Sequence, residues 1–182
     1  MGKQIRFSFE KGGSFVADML EDLAPVTCKV IWDAIEQPWT EKMVNSNICG
    51  NMVETPYLPV PEDLVLPNEN LWHFGKGGDV ATVSPHEYRE FSIRGYLPLL
   101  IVHGFSGPGE SLGMPTIEHL AGKKIELKDD GDHIAQLFKK SMMETCRANV
   151  FAKVCKTNIP TMVKVCSRIR YDGIEGFTIE RV

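Results

Sequence analysis

The feature that most constrains the fold is a succession of short, strand-like segments separated by turn residues. Near the N-terminus Ile5, Phe7 and Phe9 alternate with polar residues, which is the two-residue period of a strand that buries one face. Similar patterns predict strands at residues 5–9, 14–21, 80–83, 97–102, 150–155, 161–170 and 175–181. Short strands in this number, with few helices, predict a closed β-barrel.

Two segments follow the period of a helix instead. Pro25 occupies a good first-turn position, and the apolar residues after it predict an amphipathic helix over residues 25–36, ended by Pro38. Capping residues and an apolar stripe predict a second helix over 132–146. Four prolines between 56 and 67 indicate an extended surface segment. We therefore expect a barrel with one or two helices over its ends.

Length and composition favour one cytoplasmic domain that spans residues 1–182. The net charge of −4 gives no basic surface for nucleic acid, and no apolar run approaches the roughly 20 residues of a membrane span. The N-terminus lacks the apolar stretch of a signal peptide. The five cysteines, an odd number without a Cys-x-x-Cys pair, predict reduced thiols. Histidines without ligand-like spacing predict no metal, and the glycine-rich stretch 104–113 matches no nucleotide-binding fingerprint, so no cofactor is expected.

Several short motifs, in order along the chain, resemble those of cyclophilins. Residues 20–27 read Leu-Glu-Asp-Leu-Ala-Pro-Val-Thr, similar to the cyclophilin segment that leads from a strand into the first helix; Glu69-Asn70, Gly78-Asp79-Val80 and the Phe-Ala-Lys-Val at 151–154 also have counterparts there. A family of uncharacterised bacterial proteins with a cyclophilin-like fold is more similar still. It shares the first motif through Trp32, the Gly-Asp-Val strand and the Asn-Val-Phe-Ala-Lys at 149–153. The resemblance implies a mainly β, cyclophilin-like closed barrel.

Two departures from the resemblance affect the expected function. Residues 114–145 form an apparent helical insertion, whose apolar stripe is either core packing, a lid or a contact in a homodimer or larger homo-oligomer. Prolyl isomerases of the cyclophilin type carry a Phe-His-Arg triplet after the first helix, whereas residues 45–50 read Asn-Ser-Asn-Ile-Cys-Gly. Because an amide does not replace the planar, multi-donor guanidinium, prolyl isomerase activity is not expected.

Three residues are candidates for catalysis. Cys49 is a potential nucleophile or a small buried hydrophobe. His103, at the end of an apolar strand, is a potential general base or a hydrogen-bond partner of a loop carbonyl. Glu69 either orients a ligand or caps a turn.

Three amides are candidates for substrate binding. These are Asn47, Asn70 and Asn149; in particular, Asn149 either binds a carbonyl or oxyanion or satisfies backbone groups. Together with the catalytic candidates they suggest a small-molecule enzyme acting on a cyclic amide such as a lactam, imide or hydantoin, an expectation that rests partly on fold analogy. The alternative is a non-catalytic module that binds a small molecule or a peptide.

Overall fold

Residues 2–46, 52–72, 77–83, 95–103 and 148–182 are described by a computed structural model. The strands are β1 (Gln4–Phe9), β2 (Ser14–Met19), β3 (Trp39–Asn45), β4 (Met52–Pro59), β5 (Leu71–Trp72), β6 (Asp79–Val83), β7 (Tyr96–Val102), β8 (Ala148–Val154) and β9 (Ile174–Arg181). The helices are α1 (Pro25–Ala34) and α2 (Ile159–Asp172), the latter preceded by a single 3₁₀ turn at Lys156–Asn158.

Eight of these strands close into an antiparallel barrel. They follow the order β2-β1-β9-β3-β4-β7-β6-β8, and a pairing between β2 and β8 joins the two ends of the sheet. The short β5 extends the edge of β8 beyond β2, because β2 pairs with residues 152–154 of β8 and β5 with residues 148–149. The prediction of a mainly β, closed barrel is confirmed. Closure also satisfies the backbone groups that an open sheet edge would leave unpaired.

The interior of the barrel is lined by apolar side chains from the alternating positions of each strand. Phe7, Phe15 and Phe177 are buried and stack on one another, with ring centroids 5.2 Å apart for Phe7–Phe15 and 6.3 Å apart for Phe7–Phe177. The alternation seen in the sequence of β1 therefore corresponds to one core-facing side of that strand.

The first helix agrees with its prediction, whereas the second described helix does not. Residues 161–170 were predicted as a strand, but they lie within α2, so that prediction is wrong. The buried residues of α2 recur every three or four positions, which is a helical period: Ile159, Met162, Val165, Cys166 and Ile169. Pro160 lies in the first turn of this helix, and Gly173, at φ 87°, ends it by donating a hydrogen bond to the Ile169 carbonyl at 2.7 Å.

Three strands were not recognised in the sequence. β3 and β5 were not predicted at all, and β4 overlaps the segment 56–67 that was expected to be an extended surface stretch. The pairing of β4 with β7 shifts register between Thr55 and Leu58, where the chain contains Pro56. Proline cannot donate to a strand ladder, which explains the irregularity. The helix predicted over 132–146 and the insertion 114–145 lie outside the described residues.

Both helices lie against the barrel, and α2 fixes the β1–β2 turn. Gly13 in this turn has a φ of 97°, and a Cβ on it would lie 2.7 Å from the Val165 side chain of α2. Glu175 of β9 is buried and accepts hydrogen bonds from Arg168 at 2.6 and 2.8 Å and from the Lys11 backbone at 2.9 Å. The described helices include none long and apolar enough to span a membrane.

Candidate functional site

Strand register sorts the side chains of β3, β4, β7, β6 and β8 into an inner and an outer face. Val53, Ile101 and Val80 belong to the main core and face inward. The residues next to them form a cross-strand row on the outside of the barrel, which we call the outer row: Val44, Glu54, Leu100, Ala81 and Val150. Ala81, Leu100 and Val150 are buried and form a second apolar cluster, separate from the main core.

The structure brings Glu69 and Asn149 together at the N-terminus of α1. The Glu69 carboxylate accepts hydrogen bonds from the backbone N–H groups of Val26 at 3.1 Å and Thr27 at 2.8 Å, and from the Thr27 hydroxyl at 2.8 Å. Asn149 donates from Nδ2 to the Thr27 hydroxyl at 3.0 Å and to the Pro67 carbonyl at 2.8 Å, and its Oδ1 accepts from the Glu69 backbone at 3.2 Å. Glu69 thus supplies the cap that Ala24, at the N-cap position of α1, lacks.

Asn70 also connects the segment 66–70 to β8. Its Nδ2 donates to the Val150 carbonyl at 2.8 Å, and its own carbonyl accepts from the Val150 N–H at 3.4 Å. Its φ is 43°, a left-handed conformation that asparagine tolerates better than most residues. The hydrogen bonds of Glu69, Asn70 and Asn149 therefore hold α1 and β5 onto β8, in line with the capping and backbone-satisfying alternatives for Glu69 and Asn149.

His103 lies at a different level of the barrel. Asn149 of β8 pairs with Thr82 of β6. Because Ala81, the residue before Thr82, pairs with Leu100 of β7, Asn149 lies at about the level of residue 99 of that strand. His103 follows four residues later, which at about 3.3 Å per residue is roughly 13 Å along the strand. It is buried. The structure thus separates His103 from the Glu69–Asn149 cluster.

The beginning of β4 lies beside the end of β7. Met52 pairs with Val102, the residue that precedes His103. Cys49 and Asn47, which precede Met52 in the chain, lie outside the described residues.

Sequence reasoning missed Glu54, which is the carboxyl in the outer row. It pairs with Leu100, whose side chain is buried on the same face, and Glu54 itself is half-buried. Burial raises the pKa of Glu54, and the nearby Ser46 hydroxyl partly offsets this by lowering it. Ser46 is also buried, and within the described part of the chain its hydroxyl has no hydrogen-bond partner of normal geometry. The sequence signal that could have identified Glu54 was the alternation of β4, in which Val53 and Thr55 face inward and Glu54 faces outward.

The described thiols are not set up as nucleophiles. Burial raises the pKa of Cys28 to about 11, and its Sγ donates to the Phe151 carbonyl at 3.2 Å. Burial also raises the pKa of Cys166 and that of Cys155. Because the thiolate is the reactive form, the raised pKa of these three cysteines disfavours nucleophilic attack by them at neutral pH. Within the ranges that the structure covers, no group of His, Cys, Asp and Glu side chains is arranged to hold a metal ion.

Comparison with known proteins identifies the fold and not a family. No family model matches the chain, and no curated protein matches it. Among solved structures it is similar to McbB in complex with tryptophan, with a TM-score of 0.57 and 10% identity over 97% of this chain. The match spans only 44% of the McbB chain. It is also similar to the hypothetical protein AF2241 from Archaeoglobus fulgidus, with a TM-score of 0.52 and 16% identity over 100% of this chain and 95% of the other. At these identities the likeness shows the fold alone.

Proposed function

We propose that this chain is a cyclophilin-like barrel that binds a small organic molecule on the outer row, with Glu54 as its principal polar contact. One observation carries the proposal: a carboxyl group stands in the same cross-strand row as buried apolar side chains, beside the buried Ser46 hydroxyl. Glu54 is the partly exposed group of this set and can hydrogen-bond to a ligand, while the buried side chains of Ser46, Leu100 and Ala81 form its surroundings. Apolar surface with a few converging polar groups, one of them with a shifted pKa, is typical of ligand sites.

The chemistry of Glu54 suggests the class of ligand. A carboxyl whose pKa is raised can donate a hydrogen bond to an amide carbonyl when protonated, and can accept one from an ammonium or amide N–H when ionised. The barrel of similar fold that was solved with tryptophan offers a precedent for a ligand that joins an apolar ring to a polar head. We therefore propose that the ligand has an apolar body and one amide or amine group.

The experiment is a binding screen with a matched pair of variants. Lactams, imides, hydantoins, proline peptides and tryptophan are tested by thermal shift, and each hit is measured by calorimetry against the unmodified protein, Glu54→Gln and Glu36→Gln. Glu36 is an exposed residue just after α1, so its variant controls for the loss of one charge. The proposal expects Glu54→Gln to weaken binding at least tenfold and Glu36→Gln to leave it unchanged. Equal affinities in the two variants would refute it.

The second candidate is catalysis on a cyclic amide by Cys49 and His103. The observation that favours it is the pairing of Met52 with Val102, because His103 follows Val102 directly in the chain and Cys49 precedes Met52 by three residues. Glu69 enters this proposal as a positioning residue, since its carboxylate is already engaged with α1. Mass spectrometry of a hydantoin incubated with the protein should show a mass gain of one water. That product should be lost in Cys49→Ser and His103→Gln.

Quaternary structure and location remain predictions that accompany this proposal. A homodimer or larger homo-oligomer through residues 114–145, in the cytoplasm, is what the sequence favours. Light scattering on the purified chain tests the first, and a monomer at micromolar concentration would contradict it.

A further inference from the structure

Two threonines on the inner face of the barrel are buried without a hydrogen-bond partner. Thr55 of β4 and Thr82 of β6 are both fully buried. Among the residues that the structure describes, neither hydroxyl has a partner. Removing a hydroxyl from water without replacing its hydrogen bonds is unfavourable, so folded proteins rarely bury two such groups close together.

Register places the two hydroxyls on the same face and at the same level. Thr55 pairs with Leu99 of β7, and Thr82 is the neighbour of Ala81, which pairs with Leu100. Thr82 is therefore also next to Leu99, a residue of the main core. The two threonine backbones are separated by two strand spacings, roughly 10 Å, and both side chains converge on the interior.

The neighbouring polar groups do not satisfy these hydroxyls. Thr82 pairs with Asn149, but both N–H groups of the Asn149 amide are already donated, to Thr27 and to the Pro67 carbonyl. The Glu69 carboxylate accepts three hydrogen bonds from α1. The Glu69 carboxylate is thus already engaged, and the other polar side chains described beside Thr82, those of Asn149 and Thr27, are neutral, so a buried ion would find no free opposite charge among them.

We infer that the interior of the barrel contains a second binding site, formed by Thr55 and Thr82, for a small neutral molecule that both donates and accepts hydrogen bonds. An eight-stranded barrel is just wide enough to be filled by side chains or to hold one small ligand. The span between the threonines suits a compact amide of a few heavy atoms or a pair of bound waters. This site lies on the face opposite Glu54 and does not depend on the proposed function.

Valine has the shape of threonine without the hydroxyl. Whether substitution by valine lowers or raises the melting temperature therefore tests the site. If a molecule bridges the two hydroxyls, Thr55→Val and Thr82→Val should each lower the melting temperature by a few degrees. The double variant should lose less than the sum, because the first substitution already releases the shared molecule. Thr55→Ser keeps the hydroxyl and is the control. If the hydroxyls have no partner, both valine variants should instead melt at a higher or equal temperature, and the inference would be overturned.

A measurement on the unmodified protein identifies the occupant and does not depend on the folding of the variants. Nuclear Overhauser transfer from water to the amide and methyl protons of Thr55 and Thr82 would identify bound water. A small amide released by denaturation and found by mass spectrometry at one equivalent per chain would identify an organic ligand. If neither is found, the site does not exist.

Discussion

Replacing Glu69 by alanine should destabilise the protein by about 3 kcal/mol, because it removes the only described side-chain cap of α1. The Val26 N–H faces solvent and can bond to water, so its loss costs little. The Thr27 N–H is buried, and leaving it unpaired costs about 1–3 kcal/mol. The Thr27 hydroxyl loses its acceptor but still accepts from Asn149. For a chain of this length, the sum corresponds to a fall in melting temperature of about 6–12 °C.

Differential scanning calorimetry measures this shift, and two further variants identify its origin. Glu62→Ala, at an exposed position in the segment that leads to Glu69, should change stability by less than about 0.5 kcal/mol. A double-mutant cycle between Glu69→Ala and Thr27→Val should give a coupling of about 1–2 kcal/mol. A melting temperature within one degree of the unmodified protein in Glu69→Ala, or a cycle without coupling, would refute the assignment of Glu69 as the cap.

Three other predictions concern the carboxyl, a turn and the thiols. Because the pKa of Glu54 is raised in the folded state, that state binds the proton more tightly and loses stability as the pH rises. Glu54→Gln should therefore have a higher melting temperature than the unmodified protein at pH 7. This difference should disappear below about pH 4. Gly13→Ala should lower stability in urea by about 2 kcal/mol more than Gly12→Ala, since both have positive φ but only a Cβ on Gly13 meets an α2 side chain. Peptide mapping after brief alkylation at pH 8 should find Cys28 and Cys166 unlabelled until the protein is unfolded, and rapid labelling of either in the native protein would contradict their burial.

Sequence patterns correctly predicted the strands and the helix that are specified by residues adjacent in the chain. The alternation of β1 and the first-turn Pro25 gave those elements correctly, because each depends on the residue's own neighbours in the chain. The sequence of α2 contains Val163 and Val165, which favour strands, although its buried residues follow a helical spacing. Here the burial of one face against the barrel outweighed intrinsic preference.

The candidate site could not be assembled from the sequence because its geometry depends on pairing between distant strands. Glu69 caps a helix that lies 42 residues earlier in the chain, a contact without any local signature. The separation of His103 from Asn149 follows from the register of three strands, which residue spacing does not encode. Burial raises the pKa of Glu54, and its partner on the neighbouring strand, Leu100, lies 46 residues later in the chain.

The most direct test of the central claim is to map ligand binding residue by residue. Backbone amide shifts of the labelled protein are followed during titration with tryptophan and, separately, with hydantoin, at millimolar concentrations. We predict that, for at least one of the two molecules, the largest shift changes fall on Glu54, Leu100, Ala81 and Ser46, and that Glu54→Gln abolishes them. Changes centred elsewhere on the barrel, or no change with either molecule, would contradict a ligand site on the outer row.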